Sequence, residues 1–154
     1  METDTIKKFI LKIPFFKTFT DHELTKLVGR EKLFRDCKKG GYIFKEGDPG
    51  SALFVLLFGE IDLVKKGEGG KESIILKLKS GALFGEVAML TGNKRNLDAR
   101  ASSAKVVVME FNRKLIDRMI PSVQKKFEKQ LLFIIATNLD KMNMRYAKLE
   151  SSIK

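Results

Sequence analysis

The 154-residue chain has one cysteine, one histidine and fewer acids than bases, and each shortage excludes something. With Cys37 alone no internal disulfide can form, which fits a reducing compartment, and a buried thiol is its expected role. His22 stands without a second histidine or a nearby cysteine, so neither metal binding nor histidine catalysis is expected of it. The longest apolar runs, such as "LLFIIA" at 131–136, fall far below the roughly 20 residues that cross a bilayer, so no membrane span is expected. The start "METDTIKKFI" lacks the basic head, apolar stretch and small-residue cleavage site of a secretory leader, and the expected location is cytoplasmic. There is no cysteine pair, no metal-ligand spacing and no Gly-Lys-Thr phosphate loop. An enzyme is therefore not the reading, and neither a metal nor a cofactor is expected.

The shortage of acids gives a formal charge of +11, and it is uneven. Residues 1–39 carry ten bases against six acids, residues 40–111 ten against nine, and residues 112–154 ten against four. The excess lies on the flanks. Basic flanks can serve nucleic acid, an acidic partner or anionic lipid, but lysine-rich helix faces are more often simply solvated.

What is present divides by its period. The length fits one domain able to bury a sizeable core, here residues 1–154. In the first part, about 1–37, "TDHE" at 20–23 has the form of a capping box, Thr20 and Glu23 each satisfying the other's backbone donor. This predicts a helix running through Leu24, Leu27 and Val28 to a basic turn, "RDCKKGG", with His22 exposed in its first turn. From about 40 to 110 the pattern changes to short apolar or alternating runs, "YIF", "ALFVLLF", "EIDLV", "SIILKL" and "AKVVVMEF", broken by glycine-bearing turns. These predict a small antiparallel sandwich, barrel or jelly roll. Because "LFVLLF" is apolar on both faces, two sheets or a closed barrel are required.

A helical period returns over about 111–154, with Leu115, Ile116 and Met119 on one face and a break at Pro121. The following segment carries apolar residues at Phe127, Leu131, Ile135, Leu139, Met142, Tyr146, Leu149 and Ile153. From Leu139 onward they are spaced 3, 4, 3, 4, the seam of a short coiled coil. Packing on the chain's own barrel is the other reading. The combination expected is a first part on the barrel and a last part on a partner helix, most simply in a symmetric homodimer. The fold class is thus α+β, a jelly-roll barrel between an N-terminal helical segment and a long C-terminal helix.

The order of helix, small barrel with a Gly-Glu bend and long C-terminal helix resembles the cyclic nucleotide-binding domain family, over about residues 9–145. The module occurs in catabolite activator proteins, cyclic-nucleotide-dependent protein kinases and gated channels. Three stretches carry the resemblance: "IPFFKTFTDHEL", "YIFKEGDPGSALFVLLFGEIDLV" and "FGEVAMLTGNKRNLDARA". It implies a site for a cyclic nucleotide, cAMP or cGMP, at Phe84, Gly85, Glu86, Val87, Ala88, Arg95 and Asn96. A cyclic phosphodiester is an anion whose oxygens need donors from several directions. A helical turn after Phe84 would offer backbone N–H groups of Val87 and Ala88, with Gly85 allowing close approach. Glu86 would accept the ribose 2′-hydroxyl proton and Arg95 would close the cradle with a charge-assisted bond. The bland reading of the same residues is an ordinary Glu86–Arg95 ion pair in a folded turn.

The sequence departs from the family after the arginine, where small residues are usual and this chain has Asn96, Leu97 and Asp98. Leu97 is expected to crowd the site, and Asp98, on the same face as Asn96 in an extended segment, to place a carboxylate toward the anion. The Asn96 amide could serve either purine, so cAMP against cGMP stays open. By the same resemblance the C-terminal helix lids the base, at Met142 over the purine face and Asn143 at its edge. The function implied is a stand-alone sensor that signals by movement of that helix. A ligand-blind dimerisation or scaffold module is the alternative. So is a nucleic-acid-associated regulator, although the chain ends at Lys154 without a helix-turn-helix and direct DNA binding is not expected.

Overall fold

Thr20 and Glu23 form the predicted capping box: Thr20 Oγ1 accepts from the Glu23 N–H at 3.2 Å, and Glu23 Oε1 accepts from the Thr20 N–H at 2.8 Å. The helix they start is α2 (Asp21–Val28), preceded by α1 (Thr3–Leu11) and a 3₁₀ turn at Pro14–Phe16. The computed structural model describes residues 3–30 and 32–153, so the termini of the expected 1–154 domain lie outside it. Eight strands follow: β1 (Phe34–Lys38), β2 (Tyr42–Phe44), β3 (Ala52–Phe58), β4 (Ile61–Lys66), β5 (Glu72–Leu78), β6 (Leu83–Phe84), β7 (Asp98–Ala101) and β8 (Lys105–Asn112). A short helix, α3 (Glu86–Thr91), separates β6 from β7, and α4 (Arg113–Asp117) and α5 (Pro121–Ile153) close the chain.

The barrel begins earlier than the sequence pattern indicates. Residues 35–38, expected in the basic turn "RDCKKGG", belong instead to β1, which pairs with β8 from Phe34↔Met109 to Lys38↔Lys105. Charged residues tolerate this position because β1 is an edge strand whose exposed positions, Asp36 and Lys38, meet water. Cys37, expected to be buried, is half-buried there.

The strands form two antiparallel sheets, ordered β1-β8-β3-β6 and β2-β7-β4-β5. One core lies between them, where Ile43, Phe54, Leu56, Ile61, Phe84 and Val108 meet. The other lies between the first sheet and the helices, where Leu53, Val55, Met109 and Phe111 meet Phe15, Phe16, Leu24 and Phe127. Both faces of β3 are therefore buried, as its apolar sequence requires, but helices rather than a second sheet cover one of them.

Aromatic edges join the helical flanks across this second core. Phe127 of α5 packs edge-on to Phe15 at 5.0 Å between centroids and lies 4.9 Å from Phe111. Pro121 stands at the first position of α5, where its missing N–H has no cost. Nearby, Glu23 of α2 accepts from Lys126 Nζ at 2.6 Å and from the Ser122 hydroxyl at 3.1 Å. Val123, Phe127 and Leu131 are buried, and no residue of α5 beyond Leu131 is. Leu139, Met142, Tyr146, Leu149 and Ile153, the predicted seam, are all exposed. Among the described residues no helix is long and apolar enough to cross a membrane.

Candidate functional site

The stretch 84–95 forms β6, α3 and the loop that returns to β7. Phe84 pairs with Phe54 of β3 and stacks on it at 5.3 Å. The chain then turns through Gly85 at φ 77°, in the left-handed region. A Cβ at this position would lie 2.9 Å from Arg95 Nη1 and 3.2 Å from the Phe54 ring, so space and dihedral both demand glycine. Gly85 caps α3, whose first backbone N–H groups have no partner within the helix. Gly50, in the loop between β2 and β3, lets that loop lie against α3: a Cβ there would fall 2.3 Å from the Ala88 Cβ.

These elements rim a cavity of about 440 Å³. Its walls are Phe84, Gly85, Glu86, Val87, Ala88, Arg95, Asn96 and Leu97, with Leu63, Leu76 and Leu78 from the second sheet and Asn138 and Met142 from α5. All seven residues expected from the bend and its return are thus brought together, and Met142 reaches them from 46 residues beyond Asn96. Asn143 does not line the cavity. A helix turns about 100° per residue, so Asn143 leaves the face that Met142 shares with Asn138 four positions earlier. Asn138 and the three leucines are among the lining residues that the sequence reading missed, as is Phe44 of β2. An i, i+4 step back from Met142 points to the first, and the period-2 pattern of "EIDLV" and "SIILKL" to the leucines.

Asp98 corrects a second expectation. Its carboxylate faces away from the cavity and is almost fully buried, with Oδ1 accepting from the Glu46 N–H at 2.7 Å and Oδ2 lying 3.4 Å from Lys66 Nζ. The bend between β2 and β3 captures it, and no carboxylate from position 98 meets a ligand in the cavity. Leu97 does line the wall, half-buried, and Asn96 is exposed.

Arg95 is only 5% exposed. Its Nη1 donates to the Gly85 carbonyl at 2.7 Å and its Nη2 to the Ala52 carbonyl at 2.5 Å, while the guanidinium lies over the Phe44 ring, 4.3 Å from its centroid. Nε is buried without a partner. Among the described residues Glu86 and Arg95 form no ion pair, so the ordinary salt bridge is not what holds the turn. Burial pushes the Arg95 pKa down, against the pull of Asp48, Glu86 and Glu110. Burial likewise raises the Glu86 carboxyl above its ordinary value, against its own backbone N–H and the charge of Arg95. The site therefore offers a cation, free helix-end donors, an acceptor and an apolar wall. Among the described residues no group of three or more metal-binding side chains is present, and His22 is exposed on α2.

Known proteins share this fold. The family model described as "Cyclic nucleotide-binding domain" matches residues 34–122. cGMP-dependent protein kinase 2 of Mus musculus is 26% identical over 149 residues, covering 92% of this chain and 18% of the kinase. The cAMP-dependent protein kinase regulatory subunit of Mycosarcoma maydis is 30% identical over 98 residues, covering 64% of this chain and 18% of that protein. The chain thus spans under a fifth of these relatives' length. Among solved structures, the Thermus thermophilus catabolite activator protein superposes with a TM-score of 0.74 at 24% identity, covering 89% of this chain and 63% of that one. That likeness establishes the fold.

Proposed function

The chain belongs to the cyclic nucleotide-binding domain family, and we propose that it is a cyclic nucleotide sensor that binds cAMP or cGMP without chemistry and signals through α5. The observation that carries the reading is the convergence of Arg95, residues 85–88 and Met142 on one cavity of about 440 Å³. Ligand pockets run from about 300 to 1,000 Å³. In this reading the phosphate lies against the first turn of α3, where free N–H groups and the helix end favour an anion. Arg95 exchanges carbonyl acceptors for phosphate oxygens, which strengthens its hydrogen bonds because both partners are then charged. Glu86 accepts the ribose 2′-hydroxyl. Leu63, Leu76 and Met142 enclose the purine, with the amides of Asn96 and Asn138 as candidates for its edge.

Met142 sits on α5, so a bound base adds contacts to the helix position that brings it over the cavity. The ligand then shifts the population toward that position by whatever extra affinity it has there. The exposed seam beyond Leu139 is the surface that would pass the change on, to a second copy in a homodimer or to a partner helix.

Calorimetric titration with cAMP and cGMP separately tests the reading, with Arg95→Met as control. Micromolar or tighter binding that the substitution abolishes is the expected result, and the tighter nucleotide gives the base preference. No heat and no competition with either nucleotide would instead favour a ligand-blind module in which Leu97 and the inward-held Arg95 close the site.

A further inference from the structure

A second cavity, of about 230 Å³, meets the first at Arg95 and Phe44. Two carboxylates line it, Asp48 from the loop between β2 and β3 and Glu110 from β8, with Arg35 of β1 alongside. Arg35 is largely committed to the backbone: its Nη2 donates to the carbonyls of Tyr42 at 3.3 Å and Ile43 at 2.6 Å, and its Nη1 reaches Glu110 Oε1 only at 3.5 Å. Asp48 receives the Lys45 N–H on Oδ2 at 2.9 Å. Each acid keeps an oxygen without a described partner. Arg95 supplies the nearby cation, nine-tenths buried and with an unpartnered Nε. Asp48 meets Arg95 through the backbone, its carbonyl accepting the Arg95 N–H at 2.9 Å. Asp48 and Glu110 both pull the Arg95 pKa upward although neither carboxylate pairs with the guanidinium. Glu86 does the same from the first cavity, so the guanidinium lies between carboxylates of two cavities.

We propose that Asp48 and Glu110 are positioning residues for Arg95: as counter-charges in the second cavity they hold its guanidinium inside the barrel and lower the affinity of the first cavity for a phosphodiester. The inference rests on the reading of the first cavity as a cyclic nucleotide site. A phosphate and these two acids compete for one cation. Asp48 is exposed, so its share is screened by salt, whereas half-buried Glu110 beside the buried guanidinium is screened less.

Glu110→Gln removes the charge while leaving an oxygen for Arg35. Titrated with cAMP and cGMP, this variant is expected to bind about three- to tenfold more tightly than the wild type, since Glu110 acts on the guanidinium without pairing with it. The gain should persist in molar salt. Asp117→Asn, which removes an exposed carboxylate of α4, is the control for net charge and should give no gain at that salt. Unchanged or weaker binding by Glu110→Gln, or an equal gain in the control, overturns the proposal. If no form binds either nucleotide, the ligand reading fails by itself and the positioning role is read in the free protein. There, nuclear magnetic resonance of the Arg95 Nε–H should show faster exchange with water in Glu110→Gln than in wild type. An unaltered rate overturns the role.

Discussion

Arg95 does two jobs that pull on its surroundings in different ways. As a ligand group it must be able to turn toward an anion, yet in the structure its two terminal nitrogens satisfy the carbonyls of Gly85 and Ala52. Removing the guanidinium leaves those acceptors unpaired in a buried place, each costing about 1–3 kcal/mol. Arg95→Met is therefore expected to lower stability in denaturant titration by a few kcal/mol (order of magnitude) as well as abolish binding. Intact stability would mean that the carbonyls find other donors. The sequence was informative about this residue and poor about its neighbours. The resemblance implied one site for Glu86 and Arg95, and both line one cavity because α3 and its return form a short local loop. Asp98 was read as facing the ligand because alternation along a strand assigns a side and says nothing of a distant partner. The Glu46 N–H, 52 positions away, captures it.

At the scale of elements, the contact between α2 and α5 is built on one carboxylate. Burial alone would raise the Glu23 pKa, but the hydrogen bonds from Lys126, the Thr20 N–H and Ser122 outweigh it and bring it from 4.5 to about 2. A carboxyl depressed in the folded state contributes stability that is complete above its unfolded value and fades as pH falls toward the folded one. Thermal denaturation of wild type and Glu23→Gln should accordingly differ fully above about pH 5 and converge as pH approaches 2. A difference that stays constant across that range would sink the assignment. The capping half of this contact was legible as "TDHE", since a box is local. Its tie to Lys126 was not, since 103 positions separate the two residues. The strands follow the same rule. Five apolar runs announced β2, β3, β4, β5 and β8, whereas β1 is half charged, β6 has two residues and the sequence of β7 is "DARA". Only pairing with long neighbours makes these three strands.

For the whole molecule, the long helix divides into a packed part and a bare part. Leu131 is the last buried side chain of α5, and the seam residues from Leu139 to Ile153 are exposed, Met142 alone among them lining the cavity. If a second copy covers that seam, Tyr146→Glu with Leu149→Glu should convert a dimer into a monomer in sedimentation velocity while leaving the cavity lining intact. A wild type already monomeric at high concentration removes the dimer from the proposal. Heptad spacing was readable because it repeats, while the side of the helix that would meet the nucleotide depended on where the barrel lay.

The same division fixes how motion would scale along α5. From Ile135, the last side chain of α5 packed against the core under the helices, to Ile153 the helix extends about 27 Å at about 1.5 Å per residue. A rigid rod hinged at its last anchored turn amplifies angle into distance. A tilt of about ten degrees, small enough for Met142 to close or open over the cavity, would sweep the far end by about 5 Å, roughly one helical turn.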